Sequence, residues 1–231
     1  MTRDFQQPFS LPDGATEVLL VRHGSAPRLA GAPLIDGSSD PDLSELGRRQ
    51  ADAVARRLDD QRLDGLFVTP LRRTHQTAAP LAAALGMTPA MVPELREVRL
   101  GDWEGQLQER VVANDELIAK LFRTGRWDVI PGAESMDAFA ERVQAGLALL
   151  ADSGTDSRRV LAVVHGGVIA EACRQVTQSH PFAFLRAENC SITRLMRTLN
   201  GRWELNCFND TAHLDGVIAS DPPAGARLAA R

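Results

Sequence analysis

The sequence predicts an α/β protein built around a mostly parallel central sheet. Two continuous apolar runs, at residues 18–21 and 160–164, have the length and composition of buried parallel strands. Patterns of helical period follow the strand candidates along the chain, an alternation typical of α/β folds. Both runs end in a histidine followed by glycine, at His23 and His165. Because ligands bind beyond the carboxyl ends of the strands in such sheets, this edge is the predicted site.

Composition limits the classes of protein that this chain can represent. It has 231 residues, a net charge of -4 and 44% hydrophobic residues, which is enough for one large domain or two small ones. No basic cluster indicates a nucleic-acid partner, no apolar run is long enough to span a membrane, and the first residues lack a secretory signal. The three cysteines are far apart and predict neither a disulfide framework nor a metal site. We therefore expect a cytoplasmic protein.

The first half of the chain predicts two strands, each with a helix after it. Ser44 is a suitable N-cap for the first helix, and Gly86 can end the second one. The loop that follows His23 is long and rich in Pro, Gly, Ser and Asp, so we expect it to lie over the site. The predicted elements are a leader at residues 1–15, a strand at 17–22, a loop at 26–42, a helix at 45–60, a strand at 66–69 and a helix at 70–85.

The second half repeats the alternation and then ends in a hairpin. Ser135 can cap a long helix, and the two glycines after His165 open another helix, whose free N–H groups would suit an anion. Asn200-Gly201 is a strong signal for a hairpin turn. The predicted elements are a strand at 91–98 that ends near Glu97, a partly helical stretch at 106–130, a helix at 136–151, a strand at 160–164, a helix at 168–176, strands at 189–199 and 201–208, and a tail from Asp215.

Charged and titratable residues follow several of these predicted elements. Arg22, His23 and His165 come at the ends of two strands, Arg73 lies in the first turn of a helix, and Glu97 ends a third strand candidate. Arginine forks match phosphate oxygens, and a neutral imidazole beside them can attack phosphorus. The chain has no thiolate cluster, no carboxylate-rich loop and no glycine-rich nucleotide loop with lysine. We expect phosphate chemistry with neither a metal nor a cofactor.

The order of motifs resembles that of the histidine phosphatase superfamily, whose members are phosphoglycerate mutase-like. The resemblance runs over nearly the whole chain from about residue 18 to residue 214. It rests on VRHG at 21–24, LSELG with QA at 43–51, TPLRRTHQTA at 69–78, LREVRLGDWEG at 95–105, PGAES at 131–135, VHGG at 164–167 and NDTAHL at 209–214.

The resemblance implies a fold and a set of roles. The fold would be a three-layer α/β/α sandwich in a single domain at residues 1–231, with its core at about 16–214, flexible tails at 1–15 and 216–231, and a cap at 106–133. His23 would be the nucleophile that accepts the phosphoryl group. Arg22, Arg73 and His165 would line the phosphate pocket, and Glu97 would be the general acid and base.

Two further residues belong to the predicted phosphate pocket, and one alternative arginine is less favoured. Gly166 would offer its backbone N–H at the helix start. The Ser25 hydroxyl could donate to phosphate or only cap the turn. Arg72 would point elsewhere, because one step along a helix changes its direction, so Arg73 is preferred. Because the acid step needs a protonated Glu97, we expect activity to be favoured at mildly acidic pH.

Three functions remain open at the level of the sequence. The favoured one is a phosphomonoesterase acting on a small-molecule phosphate ester. The others are a phosphoglycerate mutase-type transferase and a catalytically silent binder of phosphorylated ligands. Ser25-Ala26-Pro27 stand where many mutases have Glu-Thr and a later Asn, which favours the phosphatase. Lys120, Arg123 and Arg126 could grip a second anion or form a solvated face. The oligomeric state is open, with a homodimer among the options.

Overall fold

The computed structural model describes residues 10–27, 34–35, 37–113, 115–152 and 158–218. Its strands are β1 (Thr16–Arg22), β2 (Leu34–Ile35), β3 (Ser38–Ser39), β4 (Gly65–Val68), β5 (Ala90–Met91), β6 (Arg158–Val164), β7 (Ile192–Arg197) and β8 (Trp203–Asp210). Its helices are α1 (Glu45–Leu58), α2 (Arg72–Leu85), α3 (Leu107–Val112), α4 (Glu116–Thr124), α5 (Met136–Ala151), α6 (Gly166–Thr177) and α7 (Asp215–Ile218).

The central sheet is mostly parallel, as the sequence predicts. In the part of the chain that the structure describes, it has six strands in the order β5-β4-β6-β1-β7-β8. The first four of these run parallel, whereas β7 pairs antiparallel with both β1 and β8. β2 and β3 form a separate small hairpin. The predicted hairpin around Asn200-Gly201 joins the two antiparallel strands. The two central strands, β1 and β6, are the ones that end in the histidines.

Helices cover both faces of the sheet and make it the middle layer of three. Side chains alternate between faces along a strand, so Val18 and Leu20 pack on one side while Leu19 and Val21 pack on the other. The first side is buried under α4, α5 and α6. The second side is buried under α1 and α2. The predicted three-layer α/β/α architecture is confirmed.

Most helix boundaries follow the local signals in the sequence. Ser44 and Ser135 cap α1 and α5, each accepting a hydrogen bond from a backbone N–H three residues later. Gly86 ends α2 with a left-handed φ of 63°. The structure has α5 over the residues that were predicted. It begins α2 at Arg72 rather than at Pro70, so Pro70 precedes the helix.

The predicted third strand at residues 91–98 is wrong. Only Ala90–Met91 pairs with β4, and Pro93–Leu95 then forms a 3₁₀ turn. Pro93 has no N–H to give to a ladder and fixes its own φ, which suits a turn and stops the strand. Glu97 therefore lies on irregular backbone beyond the sheet.

Three other expectations concern loops and tails. Within the predicted loop at 26–42 the structure forms the β2–β3 hairpin, and residues 28–33 and 36 lie outside the described residues. Ala15, in the predicted leader, is fully buried, and α7 occupies the start of the predicted tail. Residues 1–9 and 219–231 of the two tails lie outside the described residues.

The stretch at residues 106–133 contains α3, α4 and a 3₁₀ turn at Trp127–Val129. Its buried side chains, including Ile118, Leu121 and Trp127, join the core beside α5. That this stretch caps the site stays a prediction. Among the described residues, no helix has the length and apolar character needed to cross a lipid bilayer.

Candidate active site

The two central strands bring His23 and His165 together. Arg22 at the end of β1 is in register with Val164 at the end of β6, so the next residue of each strand is a histidine. The backbone N–H of His23 donates to the Val164 carbonyl at 2.9 Å. The two imidazole rings lie with their centroids 5.2 Å apart and their planes at 59°. The two rings therefore lie side by side at the carboxyl edge of the sheet.

The His23 ring is held in one tautomer. Its Nδ1 lies 2.8 Å from the carbonyl oxygen of Gly24, and since a carbonyl can only accept, Nδ1 must carry the proton. Nε2 therefore keeps its lone pair. The His23 carbonyl accepts from the Asn189 side-chain amide at 2.8 Å, which fixes the backbone beneath the ring. This arrangement can present Nε2 as a nucleophile.

His165 is buried and bound at both of its ring nitrogens. Nδ1 lies 3.4 Å from Nη2 of Arg73, and a guanidinium can only donate, so Nδ1 is the acceptor. Nε2 therefore carries the proton and donates to the Thr69 hydroxyl at 2.8 Å. Thr69 directly follows β4 and in turn contacts the Thr74 hydroxyl at 3.2 Å. This chain of contacts orients the second imidazole.

Both histidines are held neutral. Burial and the charges of Arg73 and Arg22 keep the pKa of His23 well below its ordinary value of 6.5. Burial is also the largest cause for His165, whose pKa is well below 6.5, followed by the charge of Arg73. Neutral imidazole is the form that can act as a nucleophile.

Two guanidinium groups lie in the same cluster. Arg73 is buried, and its Nη1 donates to the Ser39 carbonyl at 2.6 Å. Arg22 donates through Nη1 to the Ala187 carbonyl at 2.6 Å. Both arginines act electrostatically on His23, His165 and Glu97. Arg72, the neighbouring alternative, instead donates to Asp40 and forms ion pairs with Asp40 and Asp42.

The Glu97 carboxylate sits against the first turn of α6. Its Oε1 accepts from the Val98 N–H at 3.0 Å, and its Oε2 accepts from the Gly167 N–H at 3.3 Å. Burial raises the pKa of Glu97 above its ordinary 4.5, against the lowering effect of these hydrogen bonds and of Arg73 and Arg22. A carboxyl group with a raised pKa is suited to giving and taking a proton.

Gly166 and Ser25 come shortly after the two histidines, Gly166 as the first residue of α6 and Ser25 in the loop after β1. Gly166 opens α6, and a Cβ there would meet the Arg22 Nε at 3.4 Å. The Ser25 N–H donates to the Gln50 side chain at 2.9 Å, and its carbonyl accepts from the Ser44 N–H and hydroxyl. Among the described residues, no hydrogen bond of the Ser25 hydroxyl caps this turn. Its role toward phosphate stays a prediction.

Lys120, Arg123 and Arg126, the candidates for a second anion site, lie on the surface of the 106–133 stretch. Lys120 and Arg123 are exposed on α4. Arg126 makes a bidentate ion pair with Asp128, at 2.8 and 2.5 Å. The charge of Arg126 is therefore paired with Asp128, and the contacts of Arg126 do not involve the two histidines.

Several supporting residues were not identified from the sequence. Glu104 accepts from the Ser39 N–H at 2.9 Å and from its hydroxyl at 3.1 Å, which fixes the carbonyl that binds Arg73. Thr69, Gly167 and Asn189 also touch site residues directly. Thr69 and Gly167 lie inside the motifs TPLRRT and VHGG, so the signal was present. Nothing local marks Asn189 or Ser39.

Within the described ranges, no group of three or more His, Cys, Asp and Glu side chains is arranged to hold a metal ion. The positive charge of the site comes from Arg22 and Arg73. Chemically, the cluster combines two neutral imidazoles, two guanidinium groups and one carboxyl group with a raised pKa. That set suits the transfer of a phosphoryl group.

A family model, a curated protein and solved structures each match most of this chain. The family model described as "Histidine phosphatase superfamily (branch 1)" matches residues 18–211. A probable phosphoglycerate mutase GpmB of Yersinia pestis (strain Pestoides F) is 35% identical over 208 residues, covering 86% of this chain and 95% of that protein. The structure of a mycobacterial glucosyl-3-phosphoglycerate phosphatase is 28% identical, with a TM-score of 0.70, and covers 85% of this chain and 100% of that one. A phosphoglycerate mutase of Bacillus anthracis str. Sterne shares the fold at a TM-score of 0.74 and 19% identity, over 89% of this chain and 97% of that chain.

Proposed function

The chain belongs to the histidine phosphatase superfamily, and from this we propose that it hydrolyses small phosphate monoesters, without a metal, through a phosphohistidine at His23. Membership shows an enzyme of phosphoryl hydrolysis or transfer. The observation that carries the finer proposal is the hydrogen bond from His23 Nδ1 to the Gly24 carbonyl. Because that bond holds the proton on Nδ1, the unshared electron pair is on Nε2, the nitrogen that would attack phosphorus.

In the first step, the Nε2 lone pair of His23 forms a bond to phosphorus while the bond from phosphorus to the ester oxygen breaks. Glu97 gives its proton to that departing oxygen, so an alcohol leaves rather than an alkoxide. Arg22 and Arg73 neutralise the equatorial phosphoryl oxygens, and the neutral His165 lies beside them. Electrostatic stabilisation of this kind is the largest contribution in phosphoryl transfer generally.

In the second step, the ionised Glu97 takes a proton from water, and the oxygen of that water forms a bond to phosphorus. The bond between phosphorus and Nε2 of His23 breaks, and inorganic phosphate leaves. Glu97 is protonated again and His23 is neutral again. A bound phosphate dianion offsets the two arginines and raises the pKa of Glu97 further, which suits the acid step.

Hydrolysis is favoured over mutase transfer by the residues that follow His23. Ser25-Ala26-Pro27 provide none of the side chains that grip a second anionic group in many mutases. The similarity to a phosphatase structure at 28% identity supports the same choice. The mutase alternative is retained because a relative at 35% identity is named a probable phosphoglycerate mutase.

The proposal also includes the cellular compartment and the oligomeric state of the protein. Cys173, Cys190 and Cys207 are free thiols, which supports a reducing compartment such as the cytoplasm. A homodimer stays a prediction from the sequence.

The test is a panel of phosphate esters incubated with and without chelator, read out as released phosphate, for the wild-type chain and His23→Ala. We expect the wild-type chain to release phosphate in the presence of chelator. The labelled phosphoryl group of the ester should also become bound to His23, in a form that is stable in alkali and is lost in acid. The His23→Ala variant should show neither phosphate release nor labelling. Turnover that persists in His23→Ala would overturn the phosphohistidine. If the labelled phosphoryl group moves to a second position of a phosphorylated acid faster than it is released as inorganic phosphate, the protein is a mutase. Binding of esters with no turnover would establish a silent binder.

A further inference from the structure

The irregular segment that carries Glu97 needs donors that a sheet would normally supply. Buried backbone carbonyls must be hydrogen-bonded, and a strand gets its partners from the ladder. Residues 93–100 lie beyond the pairing of β5 with β4 and have no such ladder. Something else must therefore hold this stretch of backbone in place.

The donor is the guanidinium of Arg142, on helix α5. Its Nη1 donates to the carbonyls of Glu94 at 2.8 Å and Arg96 at 2.5 Å, and its Nη2 donates to the carbonyl of Glu97 at 3.1 Å. One side chain thus donates to three backbone carbonyls, two that precede Glu97 in the chain and that of Glu97 itself. Helix α5 also packs tightly here, because a Cβ at Gly146 would lie 2.5 Å from Leu95 Cδ2.

Arg142 is itself locked in position. Its Nε and Nη2 bind the two carboxylate oxygens of Glu134 at 2.7 and 2.8 Å, and its guanidinium lies 4.7 Å above the Phe139 ring. Burial acts to raise the pKa of Glu134, but its hydrogen bonds and charge interactions with Arg142 and Arg99 together outweigh burial, so the pKa is lowered and the carboxylate stays ionised.

Glu134 also reaches the other side of Glu97. Its Oε2 accepts from the Arg99 N–H at 3.3 Å, while its own N–H donates to the Arg99 carbonyl at 3.0 Å. The pair of Arg142 and Glu134 therefore fixes the backbone both before and after Glu97. Both side chains are largely buried, at 17% and 4% exposed, so water competes little for these bonds.

We propose that Arg142, locked by Glu134, is the positioning residue that holds the Glu97 carboxyl at the leaving oxygen of the substrate. This inference rests on the proposed function, since it assigns a task to the acid of that mechanism. Arg142 does not touch the substrate and acts through the backbone of residues 94–97. A lysine could not replace it, because an ammonium lacks the planar fork that meets a carboxylate and several carbonyls at once.

The leaving group of the substrate provides the test. An alkyl phosphate needs a proton on its departing oxygen, whereas a nitrophenyl phosphate loses a stable phenolate and hardly needs one. kcat/KM reports the steps through departure of the alcohol, so the later hydrolysis does not enter. The ratio of kcat/KM for the two substrates is also independent of how much of a sample is folded, because both values scale with the same active fraction.

We would compare Arg142→Lys with Arg174→Lys and Glu97→Gln. Arg174, on the neighbouring helix α6, is the matched control, because it makes a bidentate pair with the buried Glu171 of the same helix at 2.8 and 2.7 Å. For Arg142→Lys we expect kcat/KM to fall about 10- to 100-fold for the alkyl phosphate and less than about 3-fold for the nitrophenyl phosphate. For Arg174→Lys we expect the ratio to stay at the wild-type value.

The outcomes separate this inference from the proposed function. If Glu97→Gln changes the ratio and Arg142→Lys does not, Arg142 has no positioning role and the proposed function stands. If Glu97→Gln leaves the ratio unchanged, Glu97 is not the acid and the positioning inference fails with that assignment, whereas the phosphohistidine is tested separately by His23→Ala. If Arg142→Lys shifts the ratio in the wild-type background but not in Glu97→Gln, Arg142 acts through Glu97.

Discussion

The carboxylate of Glu97 lies in the space that a side chain at position 167 would occupy. A Cβ on Gly167 would fall 2.5 Å from Glu97 Oε1, which is inside van der Waals contact. The Gly167 N–H donates to Oε2 of the same carboxylate at 3.3 Å. The second glycine after His165 thus leaves room for the acid and also binds it.

The first prediction concerns this contact. Gly167→Ala should displace the Glu97 carboxylate and lower kcat/KM for an alkyl phosphate by about 100-fold, because misplacing a proton donor by about an ångström costs that much. Steady-state kinetics on the purified variant would measure the change. Gly216→Ala is the control, since a Cβ there meets no atom within 4 Å. Equal activity of both variants with the wild type would contradict the importance of the contact.

The second prediction is a pH dependence set by two displaced pKa values. The proposed mechanism needs neutral His23 and protonated Glu97. Since burial lowers the pKa of His23 and raises that of Glu97, kcat/KM should fall as pH rises through the raised Glu97 pKa. Profiles of kcat/KM from about pH 5 to about pH 8 should show this limb in the wild type and lose it in Glu97→Gln. A flat wild-type profile would remove Glu97 from the acid step.

The third prediction concerns the phosphate clamp. Arg73→Lys loses the planar fork and should raise the inhibition constant for inorganic phosphate about 10- to 100-fold, the value of a hydrogen bond to a charged group. Arg72→Lys is the matched neighbour, because Arg72 contacts Asp40 and Asp42 instead. We expect it to change the constant less than about 3-fold. The reverse order of the two variants would show that Arg72 faces the phosphate.

The fourth prediction links the buried His165 imidazole to stability. Because the folded-state pKa of His165 lies well below 6.5, the unfolded chain binds a proton below pH 6.5 that the folded chain does not. The free energy of unfolding should therefore fall as pH falls from about 7 to about 5, by up to about 1.4 kcal/mol per pH unit for this group.

Urea titrations at several pH values would measure that slope. His165→Gln removes the imidazole and should flatten the slope by up to the same amount. Glu97 contributes with the opposite sign, because its raised pKa makes the folded chain bind the extra proton, and its contribution is common to both chains. Parallel slopes for wild type and His165→Gln would mean that the pKa of His165 is the same in the folded and the unfolded chain.

The central strands and their histidines could be predicted because their signals are local. A continuous apolar run bounded by polar residues is buried wherever it folds, and its end must lie at the sheet edge. Arg73 was predictable for the same reason, since it lies in the first turn of a helix that follows a strand. The structure brings its guanidinium to within 3.4 Å of the His165 ring.

The support of Glu97 could not be read from the sequence. Pro93 marks the end of pairing, but the apolar residues around it resemble a strand, which led to the wrong prediction for 91–98. The donor that replaces the ladder, Arg142, comes more than 40 positions later on another element. On its own helix it is one polar residue among several. Contacts of this kind depend on how α5 packs, which no local pattern encodes.

The parallel pairing of β1 with β6 has a consequence for how this scaffold can diversify. Neighbouring strands are spaced about 4.8 Å apart by their hydrogen bonds, and the two rings inherit a similar separation of 5.2 Å. The distance between the two imidazoles therefore follows from the hydrogen-bonded pairing of β1 with β6. If residues 26–42 and 106–133 cover the site as predicted, we expect changes in these two stretches to alter substrate choice while the two imidazoles keep their separation.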